Sequence, residues 1–145
     1  MRCPTLVAAL LLVVNAGPAR GEALAAGDGR FPFSAWDGPA IEVWYHAPAN
    51  LSPATPVVFV MHGMVRNGDE YRDQWSDLAA KYGFLLLVPT FSNANFPGFE
   101  GYNYGNVIGA DGRQRPRSQW AFTAIERLFD RVKTTTGITA PKYFF

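Results

Sequence analysis

The sequence has few residues that could form a disulfide or a metal site. Cys3 is the single cysteine, and it lies in an N-terminal segment that we expect to be removed, so the rest of the chain has no thiol. The two histidines, His46 and His62, are far apart in the sequence, which argues against a zinc cluster. Neither G-x-x-x-x-G-K-[ST] nor G-x-G-x-x-G, the loops that cradle phosphates, occurs. We therefore expect no metal and no cofactor.

The sequence also has no large excess of positive or of negative residues. The 13 Lys and Arg residues nearly balance the 12 Asp and Glu residues, giving a formal net charge of +1 at pH 7. At that balance we expect no nucleic-acid partner and no attraction to an anionic membrane. The hydrophobic content of 48% and the aromatic content of 14% are typical of one globular domain.

No apolar run is long enough to cross a bilayer, which takes about 20 residues. The apolar run from Leu6 to Val14 instead suits the central part of a secretory signal peptide, with Arg2 before it and small residues after it. A buried helix is the alternative for this segment. We predict a signal peptide at 1–26, cleaved after Gly21 or Ala25, and one domain at 27–145 in a secreted or periplasmic protein without a membrane contact after cleavage.

The rest of the chain alternates strand and helix patterns. Apolar and polar residues alternate from Ile41 to His46, which favours a half-buried antiparallel strand, with 31–36 as its hairpin partner. Continuous apolar runs at 57–61 and 84–88, and a third beginning at Lys142, predict strands buried on both faces. This order predicts an α/β fold: a mostly parallel sheet with flanking helices and an antiparallel N-terminal hairpin.

Two helices are predicted between these strands. In the first helix, Asn67 and Glu70 resemble a capping box and Gly83 is the stop. In the second, Ser118 is the expected cap and Gly137 the stop. The predicted buried face of the first helix consists of Tyr71, Trp75, Leu78, Ala79 and Tyr82. The predicted buried face of the second consists of Ala121, Ala124, Ile125, Leu128, Phe129 and Val132.

Several tracts together resemble a known family. They are the strand VVFVMHGM, the helix with Tyr71 and Trp75, the strand FLLLVPTF and the helix WAFTAIERLFDRV. This set, over about residues 40 to 145, resembles secreted serine esterases of the α/β-hydrolase superfamily, in particular the polyhydroxybutyrate-depolymerase-like and feruloyl-esterase-like hydrolases. The resemblance implies the N-terminal half of that fold. It also implies hydrolysis of a small-molecule or polymeric carboxylic ester through a serine acyl-enzyme, without a cofactor.

His62, Gly63 and Met64 follow the first buried parallel strand, at the edge where open α/β sheets bind ligands. Gly63 lets the backbone turn without a Cβ, so a nearby N–H can point into the crevice and stabilise an oxyanion. The resemblance makes the Met64 N–H the candidate oxyanion donor, with His62 shaping the loop. A general-base role for His62 is the alternative that its residue type allows.

A catalytic nucleophile is not found in the sequence. The serines after the predicted signal peptide are Ser34, Ser52, Ser76, Ser92 and Ser118, and none lies in Gly-x-Ser-x-Gly. The resemblance implies that the nucleophile elbow follows Phe145, and that the acid and the base histidine come later still. The leading hypothesis is therefore an N-terminal fragment of a secreted serine hydrolase, truncated before the nucleophile elbow and inactive as the 145-residue chain.

The loop at 91–117 carries the other candidate site. Phe96, Phe99, Tyr102 and Tyr104 could form a wall for an aryl or hydroxyalkanoate ester, or could pack on one another instead. Arginines at 113, 115 and 117 would attract a carboxylate if they faced the crevice, and otherwise belong to a solvated loop. The alternative function is a non-catalytic secreted binding protein that uses this loop for a sugar or aryl ligand.

Overall fold

The computed structural model describes residues 24–145, so the predicted signal peptide lies almost wholly outside the described residues. The strands are β1 Gly27–Phe33, β2 Ile41–Ala47, β3 Val57–Phe59 and β4 Leu85–Thr90. The helices are α1 Gly68–Tyr82, α2 Gly98–Gly101 and α3 Ala121–Thr136, and a single 3-10 turn at Arg117–Gln119 precedes α3. No helix in this part of the chain is long and apolar enough to cross a membrane.

The four strands form one mixed sheet in the order β1-β2-β4-β3. β1 and β2 form the antiparallel hairpin, with Gly27 opposite Ala47 and Phe33 opposite Ile41. Its first strand therefore lies earlier than the predicted 31–36. Beyond Phe33 the chain turns, and the Trp36 indole N–H donates to the Pro39 carbonyl at 3.0 Å.

The α/β class with flanking helices is confirmed, but the expectation of a mostly parallel sheet is wrong for the described strands. β4 pairs antiparallel with β2 and parallel with β3. This mixture arises because the chain crosses over through α1 and inserts β4 between β3 and the hairpin. The strand predicted from Lys142 is a single parallel bridge, in which the Phe144 N–H donates to the Val57 carbonyl at 2.9 Å.

The α3 face of the sheet holds the larger core. Leu85 and Leu87 of β4 point to this face and pack with the apolar side of α3. The predicted face of α3 is confirmed, since all six of its apolar residues are buried. Gly137 ends the helix in a left-handed conformation, with φ of 76°, as predicted. Trp120 is the N-cap residue rather than Ser118, which lies in the preceding 3-10 turn.

The α1 face differs from its prediction. Leu86 and Val88 point to it and pack with Ala79, but Trp75, Leu78 and Tyr82 are exposed. α1 lies against β2 and β4 and approaches them through small residues, so its larger apolar side chains project to its flanks. The capping box is also wrong: the Asn67 amide donates to the Glu70 carboxylate at 2.7 Å, and neither side chain caps the backbone.

Candidate active-site crevice

The turn after β3 begins with a buried histidine. Beyond the strand, the Val60 N–H donates to the Leu87 carbonyl at 2.9 Å, which keeps the chain beside β4. His62 is only 3% exposed. The chain then turns, with the Arg66 N–H donating to the Gly63 carbonyl at 3.1 Å and Arg66 at a left-handed φ of 66°. These contacts position the His62–Met64 turn at the C-terminal end of β3.

Both nitrogens of His62 form hydrogen bonds. Nε2 accepts from the Phe91 N–H at 3.0 Å, so Nδ1 carries the proton and donates to the Gly63 carbonyl at 2.8 Å. Burial lowers the pKa of His62. The hydrogen bond to the Gly63 carbonyl acts to raise this pKa, and the nearby Arg66 cation acts to lower it further. The ring is therefore neutral and ties the turn to the end of β4. This geometry favours a structural role for His62 over a general-base role.

Arg66 and Tyr102 complete the support of this turn. The Tyr102 hydroxyl donates to the His62 carbonyl, and its ring stacks on the His62 ring at 4.5 Å between centroids. The Arg66 guanidinium lies 4.2 Å over the Tyr102 ring and donates to the carbonyls of Phe91 and Phe96 at 3.0 and 2.9 Å. Burial raises the pKa of Tyr102 to about 12, so its hydroxyl stays a donor. We call His62, Arg66 and Tyr102 the turn clamp.

A cavity of about 300 Å³ opens beside the clamp. Met61, His62 and Tyr102 line one side of it. Among the other lining residues, Phe122 and Phe145 are aromatic. Gly63 and Met64 are not among its lining residues and lie beyond its edge. The cavity is therefore an apolar crevice at the C-terminal end of the parallel strand pair, where α/β sheets bind their ligands.

The fold recurs in solved hydrolases. The chain superposes on poly(aspartic acid) hydrolase-1 from Sphingomonas sp. KT-1 with a TM-score of 0.80 and 40% identity, over 83% of this chain and 46% of that one. It superposes on LpqC, a poly(3-hydroxybutyrate) depolymerase from Bordetella parapertussis, with a TM-score of 0.71 and 31% identity, over 79% of this chain and 40% of that one. The chain belongs to the α/β-hydrolase superfamily.

The matched region is a part of each hydrolase. This α/β-hydrolase chain spans less than half the length of both solved structures. No family model and no curated protein sequence matches the chain. The assignment therefore rests on the fold together with the identity to these two structures.

The aromatic loop of this α/β-hydrolase chain divides into buried and exposed rings. Phe96 is fully buried, stacked on Trp36 at 6.1 Å and edge-on to Phe91 at 4.9 Å, so it has no surface to offer a ligand. Tyr102 lines the crevice. Phe99 and Tyr104 are 56% and 64% exposed. The loop thus packs on part of its own aromatic set and presents the rest to solvent.

The tract from Asn103 to Asn106 joins this loop to the start of α3. The Gly105 carbonyl accepts from the Ala121 N–H at 2.8 Å, and the Asn106 amide donates to the Gln119 carbonyl at 3.1 Å. Gly105 has a φ of 69°, and a Cβ there would lie 2.3 Å from the Phe122 ring. A glycine is therefore required at the point where the crevice wall meets α3.

Arg66 is the residue of this site that sequence reasoning missed. Its partners are backbone carbonyls distant in sequence, and no motif or acidic neighbour marks it. The other histidine lies away from the crevice. His46 Nδ1 is 2.6 Å from the Asp28 carboxylate, on the α1 face of the hairpin.

Ser76 joins that pair without forming a catalytic arrangement. Its hydroxyl oxygen lies 2.9 Å from the Asp28 carboxylate and 2.8 Å from the Arg72 carbonyl and does not bond His46, so no histidine base faces the serine. Burial acts to raise the pKa of Asp28, but the hydrogen bonds from His46 and Ser76 and the charge of Arg72 together lower it. Within residues 24–145 no three His, Cys, Asp or Glu residues are grouped closely enough to hold a metal.

Proposed function

We propose that this chain forms the oxyanion side of the active site in a serine hydrolase of carboxylic esters. The carrying observation is the crevice beside the His62–Met64 turn, in a chain 40% identical to a solved hydrolase. The two solved hydrolases are named for polymers, poly(aspartic acid) and poly(3-hydroxybutyrate), and these names support a polymeric substrate. The reaction proceeds through an acyl-enzyme, needs no cofactor and takes place outside the cytoplasm.

In this proposal the backbone after His62 stabilises the developing oxyanion. The Met64 N–H makes no hydrogen bond to another described residue, so it is free to donate to a substrate oxygen. Gly63 keeps the turn narrow, and a Cβ at Gly63 would come within 3.2 Å of the Tyr71 hydroxyl. His62 holds the turn in place through Phe91, and the substrate's acyl group enters the crevice beside Tyr102.

We also propose that these 145 residues are the N-terminal fragment of such an enzyme, led by a signal peptide at 1–26. None of the chain's serines lies in a Gly-x-Ser-x-Gly turn, so we expect no hydrolysis by the chain alone. The test is to sequence the coding DNA and transcript beyond the codon for Phe145. An open frame with Gly-His-Ser-x-Gly supports the proposal, and an immediate stop removes the enzyme assignment.

The oxyanion role is tested by removing one N–H in the protein that carries the nucleophile. We expect Met64→Pro to lower kcat for a p-nitrophenyl ester by roughly 10²- to 10³-fold with little change in KM, because the lost donor acts on the transition state. Met64→Leu keeps the N–H and is the matched control. An unchanged kcat in Met64→Pro would rule out this donor.

A non-catalytic secreted binding protein is the second candidate. The rings of Phe99 and Tyr104 favour it, because they are exposed and available to a ligand while the other rings of the same loop are packed. The test is binding of ferulate or an oligosaccharide by the chain and by Phe99→Ala and Tyr104→Ala. Saturable binding that both variants lose would favour this candidate over the enzyme, provided that the chain unfolds cooperatively and does not hydrolyse esters.

A further inference from the structure

Four arginines line three adjoining cavities, one of which borders the crevice. Arg117 and Arg127 line one of about 520 Å³, Arg115 lines one of about 270 Å³, and Arg113 and Arg115 line one of about 470 Å³. We call these four residues the arginine surface. We propose that the arginine surface binds the carboxylate groups of an anionic polymer, whose scissile linkage then lies in the crevice. This deepens the proposed function, on which it rests, by naming the substrate as a polyanion.

The charges of this surface form no ion pairs among the described residues. The ion pairs in this part of the chain involve His46, Arg72 and Lys133, and none of the four arginines. Nε of Arg115 is buried and has no hydrogen-bond partner. A buried donor without a partner is costly, and no group among the described residues offsets that cost.

The backbone that carries these arginines is fixed by the protein itself. The Trp120 indole N–H donates to the Arg115 carbonyl at 2.9 Å, and the Arg115 N–H donates to the Val107 carbonyl at 2.8 Å. The Thr123 hydroxyl donates to the Arg117 carbonyl at 2.7 Å, and the Arg117 guanidinium lies 5.8 Å from the Trp120 ring centroid. The backbone at Arg115 and Arg117 is therefore in place before any ligand arrives.

Acidic residues offset only part of this charge. Asp37 lines two of the three cavities and Asp111 lines the third. The Asp111 carboxylate accepts the Arg113 backbone N–H at 3.0 Å. Four guanidinium groups thus face two carboxylates, in a chain whose formal net charge is only +1. The positive charge is concentrated here.

The arginine surface and the crevice share a wall one residue thick. Gly105 and Ala121 line the crevice, whereas Asn106 and Gln119, which are hydrogen-bonded to each other, line the 270 Å³ cavity. An extended polymer that crosses this wall would contact both sites. Its charged groups would meet the arginines while its backbone linkage lies beside the His62–Met64 turn.

Carboxylates suit this surface better than the phosphates of a nucleic acid. Guanidinium groups pair with carboxylates and phosphates alike through two parallel hydrogen bonds, so the distinction comes from how the charge is distributed. Nucleic-acid binding draws on charge spread along the phosphate backbone, which a chain of nearly zero net charge does not provide.

The test measures binding, not turnover, so its failure is distinct from failure of the hydrolase proposal. The full protein is titrated with three fluorescein-labelled probes: oligo-aspartate, a 3-hydroxybutyrate oligomer and single-stranded oligothymidylate. Oligo-aspartate carries the carboxylates on amide linkages, which an ester hydrolase does not cut, so it reports carboxylate binding alone. We expect oligo-aspartate to bind most tightly, and its affinity to fall with added salt. The double variant Arg115→Gln/Arg117→Gln is expected to weaken it about tenfold, and Arg127→Gln about threefold.

Arg131→Gln is the matched control, because Arg131 lies on α3 one turn beyond Arg127 and lines a different cavity. Arg117 and Arg127 are exposed, so their variants keep the fold, which circular dichroism verifies. Absence of oligo-aspartate binding, equal loss in Arg131→Gln, or tighter binding of oligothymidylate would each overturn the proposal. The last outcome would identify a nucleic-acid surface instead.

Discussion

The two faces of the sheet are built differently although the same strands supply both. The α3 face is apolar and closed: it buries the side of α3 that faces the sheet, and it continues into the crevice through Phe91 and Tyr102. The α1 face is partly open and uses polar contacts, with His46 and Ser76 both bonded to Asp28 and Leu78 exposed. Stability should therefore depend mainly on the α3 face, which is also the face that continues into the crevice.

The largest expected difference comes from equal truncations on the two helices. Leu128→Ala on α3 removes a side chain with no exposed surface and should lower the free energy of unfolding by about 2–5 kcal/mol. Leu78→Ala on α1, at a position 41% exposed, should change it by less than about 1 kcal/mol. Urea denaturation measures both, and similar losses would contradict the comparison.

A smaller effect is expected at the junction of the crevice with α3. Gly105→Ala adds a Cβ that would collide with the Phe122 ring, and it places an alanine in a left-handed backbone conformation. We expect the variant to destabilise the fold by about 1–3 kcal/mol. Gly112→Ala is the matched control, because Gly112 has a similar φ of 73° but open space around it. Thermal unfolding of both variants separates the collision from the backbone strain, and equal shifts would show that the collision contributes nothing.

The smallest effects are pH-dependent and differ between the two histidine sites. His62 has a lowered pKa, so the unfolded chain binds its proton more tightly. Its contribution is complete above the ordinary value of 6.5 and is lost as the pH falls from there toward the folded-state pKa. Asp28 also has a lowered pKa, but its contribution is present above 3.8 and is lost as the pH falls through its folded-state pKa.

Unfolding free energies measured across pH would resolve the two windows. His62→Gln should remove the slope below pH 6.5, and Asp28→Asn should remove only the slope at the acid end. If either variant also removed the pH dependence assigned to the other residue, the two faces would be coupled. We expect no coupling, because the two sites have separate contacts.

Local patterns predicted the elements that depend on neighbours in sequence. The apolar period of α3, the left-handed glycine stops and the β2 alternation are set within a few residues, and the structure confirms them. The His62–Met64 turn was also found, because a buried run followed by His-Gly marks a strand end in this fold. Its oxyanion role stays a prediction.

Contacts across long sequence separations account for what sequence reasoning did not predict. Arg66 reaches carbonyls 25 to 32 residues away, and Phe96 is buried because Trp36 of the hairpin connection covers it. The α1 face was predicted as buried from its period alone, but burial requires a surface opposite each side chain. Here that surface covers Ala79 and leaves Trp75 and Tyr82 exposed.

The sequence by itself determined the α/β pattern and the position of the crevice turn, since these follow from hydrophobic periodicity and from residues adjacent in the chain. The family came from the resemblance of several tracts to known hydrolases. Only the tertiary structure decided that β4 enters between β2 and β3, that both His62 nitrogens are bonded, and that four arginines lie beside the crevice. Each of these depends on groups that are brought together by packing, whose partners a one-dimensional pattern does not specify.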